Sequence, residues 1–202
     1  GLASDGVGNV IVSGAENTIG FLRPDGYILR SFTVIAKDFG TESSLKVPHG
    51  IAVDASGNIW VADAEANRIT VLGPEGDFLR AVGAGQLEKP IGLAFDQAGN
   101  LFVTETSKQR VTVFAPDGKL TRRFGEGSLS SNIMGVAVDG AGCVLVADQG
   151  NAQVAMFSPS GDFVKRFGQA NFSKAATYPH FLAVDAAGKV FVSCHSQILV
   201  FG

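Results

Sequence analysis

The chain has 202 residues, 46% of them apolar, and carries 16 Lys and Arg against 19 Asp and Glu for a formal net charge of −3. That is ample apolar content for a core, yet no run approaches the roughly 20 residues needed to cross a bilayer, and no signal peptide opens the chain. Cys143 and Cys194 stand apart without CxxC spacing, which fits two reduced thiols of a cytosolic protein better than a disulfide framework.

Taken in order, the chain reads as copies of one unit. Asp5, Asp54, Asp96, Asp139 and Asp185 each close a short apolar run (LASD, IAVD, LAFD, VAVD, LAVD), and Gly8, Gly57, Gly99, Gly142 and Gly188 follow three residues later. Asp can accept a bond from a backbone N–H two or three residues on, and Gly supplies the positive φ that completes a hairpin turn. A second turn recurs as Pro24-Asp25-Gly26, Pro74-Glu75-Gly76, Pro116-Asp117-Gly118 and Pro159-Ser160-Gly161. In the second copy the strands are GIAVD (50–54), NIWVAD (58–63), RITVL (68–72) and FLRAV (78–82). Runs this short, punctuated by Gly, Pro and Asp, are strands.

The repeats cover about residues 2–46, 47–89, 90–132, 133–177 and 178–202, and the last stops after its third strand. A four-stranded unit of roughly 40 to 50 residues in tandem is the signature of a β-propeller blade, which buries both faces against its neighbours. The Ala of each first strand (Ala3, Ala52, Ala94, Ala137, Ala183) faces opposite to the large residues beside it, so small packs against large between blades. The expected fold is all-β: a single domain over residues 1–202, a five-bladed propeller with a three-stranded last blade. The chain opens in mid-repeat at Gly1-Leu2-Ala3; if it is a fragment, six blades are expected.

The stretches VPHGIAVDASGNIWVADAEANRITVLGPEGDFLRAVG, IGLAFDQAGNLFVTETSKQRVTVFAPDGKLTRRFG and MGVAVDGAGCVLVADQGNAQVAMFSPSGDFVKRFG closely resemble the NHL repeat. The resemblance implies one of several roles. NHL propellers form the C-terminal domains of tripartite-motif (TRIM) E3 ubiquitin ligases, where they bind RNA or protein substrates. They also form the peptidyl-amidoglycolate lyases, which are metal enzymes. The end at QILVFG is similar to the C-terminus of a tripartite-motif ligase, and points to the antiviral, innate-immune members.

On a propeller, charge separates by position. The turns between strands one and two and between strands three and four hold Asp5, Asp25, Asp54, Glu75, Asp77, Asp96, Asp117, Asp139, Asp162 and Asp185 against only Lys119 and Lys189, and nucleic acid should avoid that acidic end. The strand two-three and inter-blade loops are mixed, with Lys37, Lys46, Arg68, Lys89, Lys108, Arg110 and Lys174 opposed by Glu16, Asp38, Glu42, Asp63, Glu65, Glu88, Glu105, Glu126 and Asp148. Basic residues on the outer strands, such as Arg30, Arg80, Arg122 and Lys165, are edge protection against sheet pairing before they are an RNA-docking rim.

Asp63 with Arg68, and Glu105 with Arg110, bracket the strand two-three loop; where Ser13 replaces the acid, Thr18 replaces the base. This is the pattern of a loop-closing surface ion pair, worth about 0–1 kcal/mol. Trp60, aligned with Phe102 and Phe191, is expected in the core. His49 and His180 follow Pro48 and Pro179 at the start of a first strand, and His195 stands beside Cys194. The lyase resemblance implies metal-holding histidines from innermost strands. A catalytic set needs about three protein ligands, and Ile91 and Met134 occupy positions where further ring histidines would fall. Hydrogen-bonded histidines are therefore the first reading, and a metal held by His49, His180 and His195 the alternative. No nucleophile-and-base pair, carboxylate pair or phosphate loop stands out.

The expectation is thus a non-catalytic recognition domain, without a cofactor of its own, of a cytoplasmic E3 ubiquitin ligase. Asn67, Arg68, Lys89, Lys108, Arg110, Lys174 and Tyr178 on the mixed loops would contact protein substrates or RNA, since function concentrates in loops held by a rigid frame. No membrane insertion and no DNA-specific motif are expected. The alternatives are the metal-dependent lyase and a purely structural assembly propeller.

Overall fold

The computed structural model describes residues 1–14, 17–33, 45–172 and 177–202. Among the loop charges above, Glu16, Lys37, Asp38, Glu42 and Lys174 lie outside the described residues. The fold class is all-β, five successive propeller blades, each an antiparallel sheet with strands in sequence order; four have four strands and the last has three. No helix of the described residues is long and apolar enough to cross a membrane.

Two compact units, Gly1–Pro90 and Ile91–Gly202, divide the chain. In the first, β1 (Leu2–Ser4), β2 (Val10–Ser13), β3 (Thr18–Leu22) and β4 (Ile28–Thr33) form one blade. A second is built from β5 (Pro48–Val53), β6 (Ile59–Asp63), β7 (Arg68–Leu72) and β8 (Phe78–Val82). The second unit holds β9 (Pro90–Phe95), β10 (Leu101–Glu105), β11 (Arg110–Phe114) and β12 (Leu120–Phe124), then β13 (Ile133–Val138), β14 (Val144–Asp148), β15 (Gln153–Phe157) and β16 (Phe163–Phe167). Its last blade is β17 (Phe181–Val184), β18 (Val190–Ser193) and β19 (Ile198–Phe201).

The repeated Asp makes the strand one-two turn by a wider reach than the sequence suggests. Asp54 Oδ1 accepts the N–H of Ser56 at 2.9 Å and of Asn58 at 2.9 Å, and Oδ2 accepts Asn58 Nδ2. The partners lie two and four residues on, not two and three. The intervening Gly57, at φ 81°, instead donates to the Asp54 carbonyl. The two backbone bonds recur at Asp5, Asp96, Asp139 and Asp185, and the Asn side-chain bond at Asp5 and Asp96. Burial alone would raise the Asp54 carboxyl, but the bonds from Trp60 Nε1, Asn58 and the two amides outweigh it and hold the pKa below its ordinary value. Trp60 is buried as expected, with its one polar atom satisfied by that carboxylate.

Alternation gives each strand two faces, and within each unit one blade's face packs on the next blade's. Pairing of Ala3 with Ile11 and of Ala137 with Leu145 puts the small first-strand residue and a large second-strand residue on one face. In the first unit that face of the first blade (Ala3, Ile11, Ile19, Phe21) packs on Ile51, Val53, Ile59, Val61 and Leu72. In the second, Phe102, Val111 and Val113 pack on Val136, Val144, Val146 and Phe157, while Leu145 and Val154 pack on Val190, Val192, Leu199 and Phe201. Backbones come close where first strands meet. A Cβ on Gly135 would stand 2.8 Å from Phe181 Cα and 3.0 Å from the His180 carbonyl.

One core feature lies in segments whose variable length hides it. Leu45, Leu129 and Phe172, all from inter-blade connections, are buried plugs in these three clusters, and Leu87 is buried likewise. The signal is present as Gly83…Leu87, Gly125…Leu129 and Gly168…Phe172. In each, the Gly carbonyl accepts the plug's own N–H.

Candidate interaction loops

The loops joining strands two and three are held by acids that are buried, not on the surface. Asp63, Glu105 and Asp148 are each 0% exposed. Asp63 Oδ1 accepts the N–H of Lys46 at 2.8 Å and of Val47 at 3.3 Å, fastening the segment that leads into β5, while Oδ2 faces Arg68 Nε at 3.5 Å. Asp148 accepts the Ser130 N–H and hydroxyl with one oxygen, and Asn151 Nδ2 (2.8 Å) and Gln153 Nε2 (2.9 Å) with the other. Glu105 takes Arg110 Nε at 2.8 Å together with the Thr112 hydroxyl. The pair read from sequence as a surface ion bridge is thus a buried carboxylate whose bonds are made to backbone, amide, hydroxyl or guanidinium. In the first blade, pairing of Val10 with Leu22 places Gly14, not Ser13, at the acid's position; Cys194 stands there in the last.

The loops themselves turn through left-handed backbone at Asn67 (φ 52°), Gln109 (φ 55°) and Ala152 (φ 48°), directly before the third strand. Asn tolerates this conformation better than most residues. Each loop is also bonded to the inter-blade segment that follows its blade or enters it. Asn67 Oδ1 accepts the Lys89 N–H at 2.8 Å, the Thr106 hydroxyl donates to the Ser131 carbonyl at 3.0 Å, and Asn132 Nδ2 donates to Gln149 Oε1 at 2.6 Å.

The expected contact residues therefore divide by role. Arg68 and Arg110 are tied to the buried acids, with side chains 11% and 15% exposed, and Arg110 also reaches Glu126 at 3.3 Å. The Glu105 bond holds the Arg110 guanidinium above its usual pKa. Asn67 holds the next loop. Lys89, Lys108 and Tyr178 are exposed, and so are Lys46 and Glu65. Asn67, Arg68 and Lys89 belong to the first unit, and Lys108, Arg110 and Tyr178 to the second.

His49, half-buried in the first unit, gives its carbonyl to the Ser13 hydroxyl at 2.6 Å, and burial, then the Gly1 ammonium, push its imidazole below the ordinary value. His180, in the second unit, has both ring nitrogens within 3.5 Å of Gln149 Nε2. His195 is exposed. Among the described residues no three His, Cys, Asp or Glu side chains stand together as a metal set. Both cysteines are free thiols. Burial raises Cys143 and Cys194, with the Asp139 charge adding to Cys143.

Residues 45–72 match the NHL repeat. They run from the Leu45 plug through β7 and include Asp54, Asp63 and the pinned loop. No curated protein matches the chain. Similar solved structures include a chain of a nidogen/laminin complex (22% identity, TM-score 0.77, covering 99% of this chain and 74% of that one). A gluconolactonase from Xanthomonas campestris is similar at 19% identity and TM-score 0.75, over 99% of this chain and 70% of that one. So is catalytically inactive virginiamycin B lyase from Staphylococcus aureus with quinupristin, at 18% identity and TM-score 0.70, over 99% and 68%. At these identities the likeness is one of fold.

Proposed function

We propose that this chain is a non-catalytic recognition domain that binds protein partners through its strand two-three and inter-blade loops, without a cofactor, within a cytoplasmic E3 ubiquitin ligase whose catalytic part lies outside these residues. The observation that carries the reading is the anchoring of those loops. Asp63 and Asp148 bond across 17 and 18 residues to the segment entering their own blade. Loops fixed in this way lose little entropy on binding, so their exposed Lys46, Lys89, Lys108 and Tyr178 are presented in place. The nidogen/laminin structure supports use of such a fold in protein binding; the ligase setting rests on the resemblance of the repeats to tripartite-motif proteins.

Protein is favoured over RNA because Arg68 and Arg110 are engaged by carboxylates. Phosphate binding draws its affinity from cations that neutralise the backbone, and a paired guanidinium supplies less of it. The test is a comparative pull-down with the wild-type chain and a Lys46→Glu, Lys89→Glu, Lys108→Glu variant, with and without ribonuclease. The reading expects partners that resist ribonuclease and are lost from the variant. Recovery that is abolished by ribonuclease, or is equal for both chains, contradicts it.

A further inference from the structure

The turns between third and fourth strands keep one rule that the fourth blade breaks. Between the Pro and the Gly, three copies carry an acid, Asp25, Glu75 and Asp117, and the fourth carries Ser160. In the first unit Glu75 has its partner one blade back. Arg30, in β4, bonds Glu75 Oε2 through Nη1 and donates Nη2 to the Pro74 carbonyl at 2.5 Å, its guanidinium lying over the Phe21 ring at 4.2 Å. This clasp ties the outer strand of the first blade to the turn of the second.

The second unit holds the same clasp without its charged half. Arg122, at the matching register in β12, donates Nη2 to the Pro159 carbonyl at 2.6 Å and lies over the Phe102 ring at 5.7 Å. The two turns also sit alike on the strand behind them. Gly76 (φ 96°) and Gly161 (φ 98°) share one left-handed conformation, and a Cβ on either would stand 2.5 Å from Phe32 or 2.8 Å from Phe124, the matching rings. Where Glu75 stands in the first unit, the second offers only the Ser160 hydroxyl. Arg122 Nε is correspondingly buried without a hydrogen-bond partner among the described residues, a costly state for a charged donor.

The turn has two serines, and only one is free to take a new charge. Ser158 is half-buried and its oxygen accepts the Asp162 N–H at 3.1 Å, whereas Ser160 is exposed and its hydroxyl donates to the exposed Asp162 at 2.6 Å. An acid two residues on does not bar a charge at 160, because Asp77 stands two residues after Glu75.

We propose that Ser160 is a phosphorylation site and that its phosphate closes the clasp on Arg122. The Ser160 oxygen attacks the γ-phosphorus of a nucleoside triphosphate held by a protein kinase, and its proton passes to the kinase's base. The bond between that phosphorus and the oxygen bridging to the β-phosphate breaks, and the nucleoside diphosphate leaves. The new phosphate oxygens stand as many bonds from Cβ as the Glu75 carboxylate oxygens do. They bring about −1.5 to −2 charge at pH 7, a strong acceptor for a guanidinium. The turn lies at the other end of β15 from the strand two-three loop, so this site and the proposed function can fail separately.

The chain recovered from its own cells under phosphatase inhibition is mapped by mass spectrometry, and the whole chain made with phosphoserine at 160 is followed by phosphorus-31 NMR and thermal denaturation. The proposal expects phosphate on Ser160, a second ionisation of that phosphate below its usual value of about 6, and a higher melting temperature than the unmodified chain. Ser160→Glu should raise the melting temperature too, and Arg122→Gln, which keeps a donor but no charge, should abolish both gains. Phosphate that is absent or found on Ser158 alone, an ordinary phosphate ionisation in the otherwise unchanged chain, or gains that survive Arg122→Gln overturn it. So does an equal gain when inorganic phosphate is titrated into the unmodified chain, which would assign the site to a free anion.

Discussion

The Asp63 carboxylate accepts the backbone N–H of Lys46 at 2.8 Å, although 17 residues separate them. The end of a second strand is thereby fixed to the segment that enters its own blade, and Asp148 does the same for Ser130. Replacing Asp148 by Ala leaves Asn151, Gln153 and the Ser130 N–H without their shared acceptor. A loss of about 1.5–3 kcal/mol is expected, the range for a hydrogen bond to a charged group. Chemical denaturation gives the total, and amide exchange at Ser130 should accelerate more than at Val146, in the middle of β14.

Close approach of first strands sets a second expectation. Gly135→Ala places a methyl 2.8 Å from Phe181 Cα, where only backbone can yield, while Gly140→Ala meets nothing nearer than Gln97 Nε2 at 4.0 Å. The first should cost about 1–3 kcal/mol by overpacking. The second should be near neutral on the same denaturation assay.

Both thiols should react slowly. Burial and the Asp139 carboxylate raise Cys143, so less thiolate is present at a given pH than in a free cysteine. Alkylation at neutral pH should be slower than for a model thiol, and Asp139→Asn should speed it at Cys143 but not at Cys194.

His49 gives a pH dependence whose sign is fixed by its lowered pKa. The unfolded chain takes up a proton near 6.5 while the folded imidazole resists it. As pH falls through 6.5 the unfolded state binds more protons, so stability declines until the folded value is passed. In His49→Gln this part of the decline should vanish from the denaturation midpoint measured against pH.

Charge reversal should separate loop-holding from loop-presented residues. Arg110→Glu places a second acid beside the buried Glu105 and should lower stability by about 3 kcal/mol or more. Lys89→Glu, on an exposed side chain, should leave the melting temperature unchanged and weaken partner binding.

The blades were legible because their turns are short-range chemistry: Asp54, Gly57 and Pro74-Glu75-Gly76 state the hairpins locally. Trp60 in the core followed from its alignment with Phe102 and Phe191 across the repeats. The depth of Asp63 and Glu105 was not legible, since a carboxylate at a strand end looks exposed until the inter-blade segment is laid over it. The pairing of Arg68 and Arg110 with these acids was legible, but their low exposure, 11% and 15%, was not, for the same reason. Asp148 was passed over because its partners, Ser130, Asn151 and Gln153, are neutral. A search for opposite charges does not find an acid satisfied by hydroxyl and amide.

Hydrogen exchange on the chain with and without a captured protein partner tests the central claim most directly. The account predicts new protection in the loops at 45–47, 64–67, 86–89, 106–109 and 130–132, with the turns at 54–58, 74–77, 96–100 and 139–143 unchanged. Protection confined to those acidic turns would contradict it.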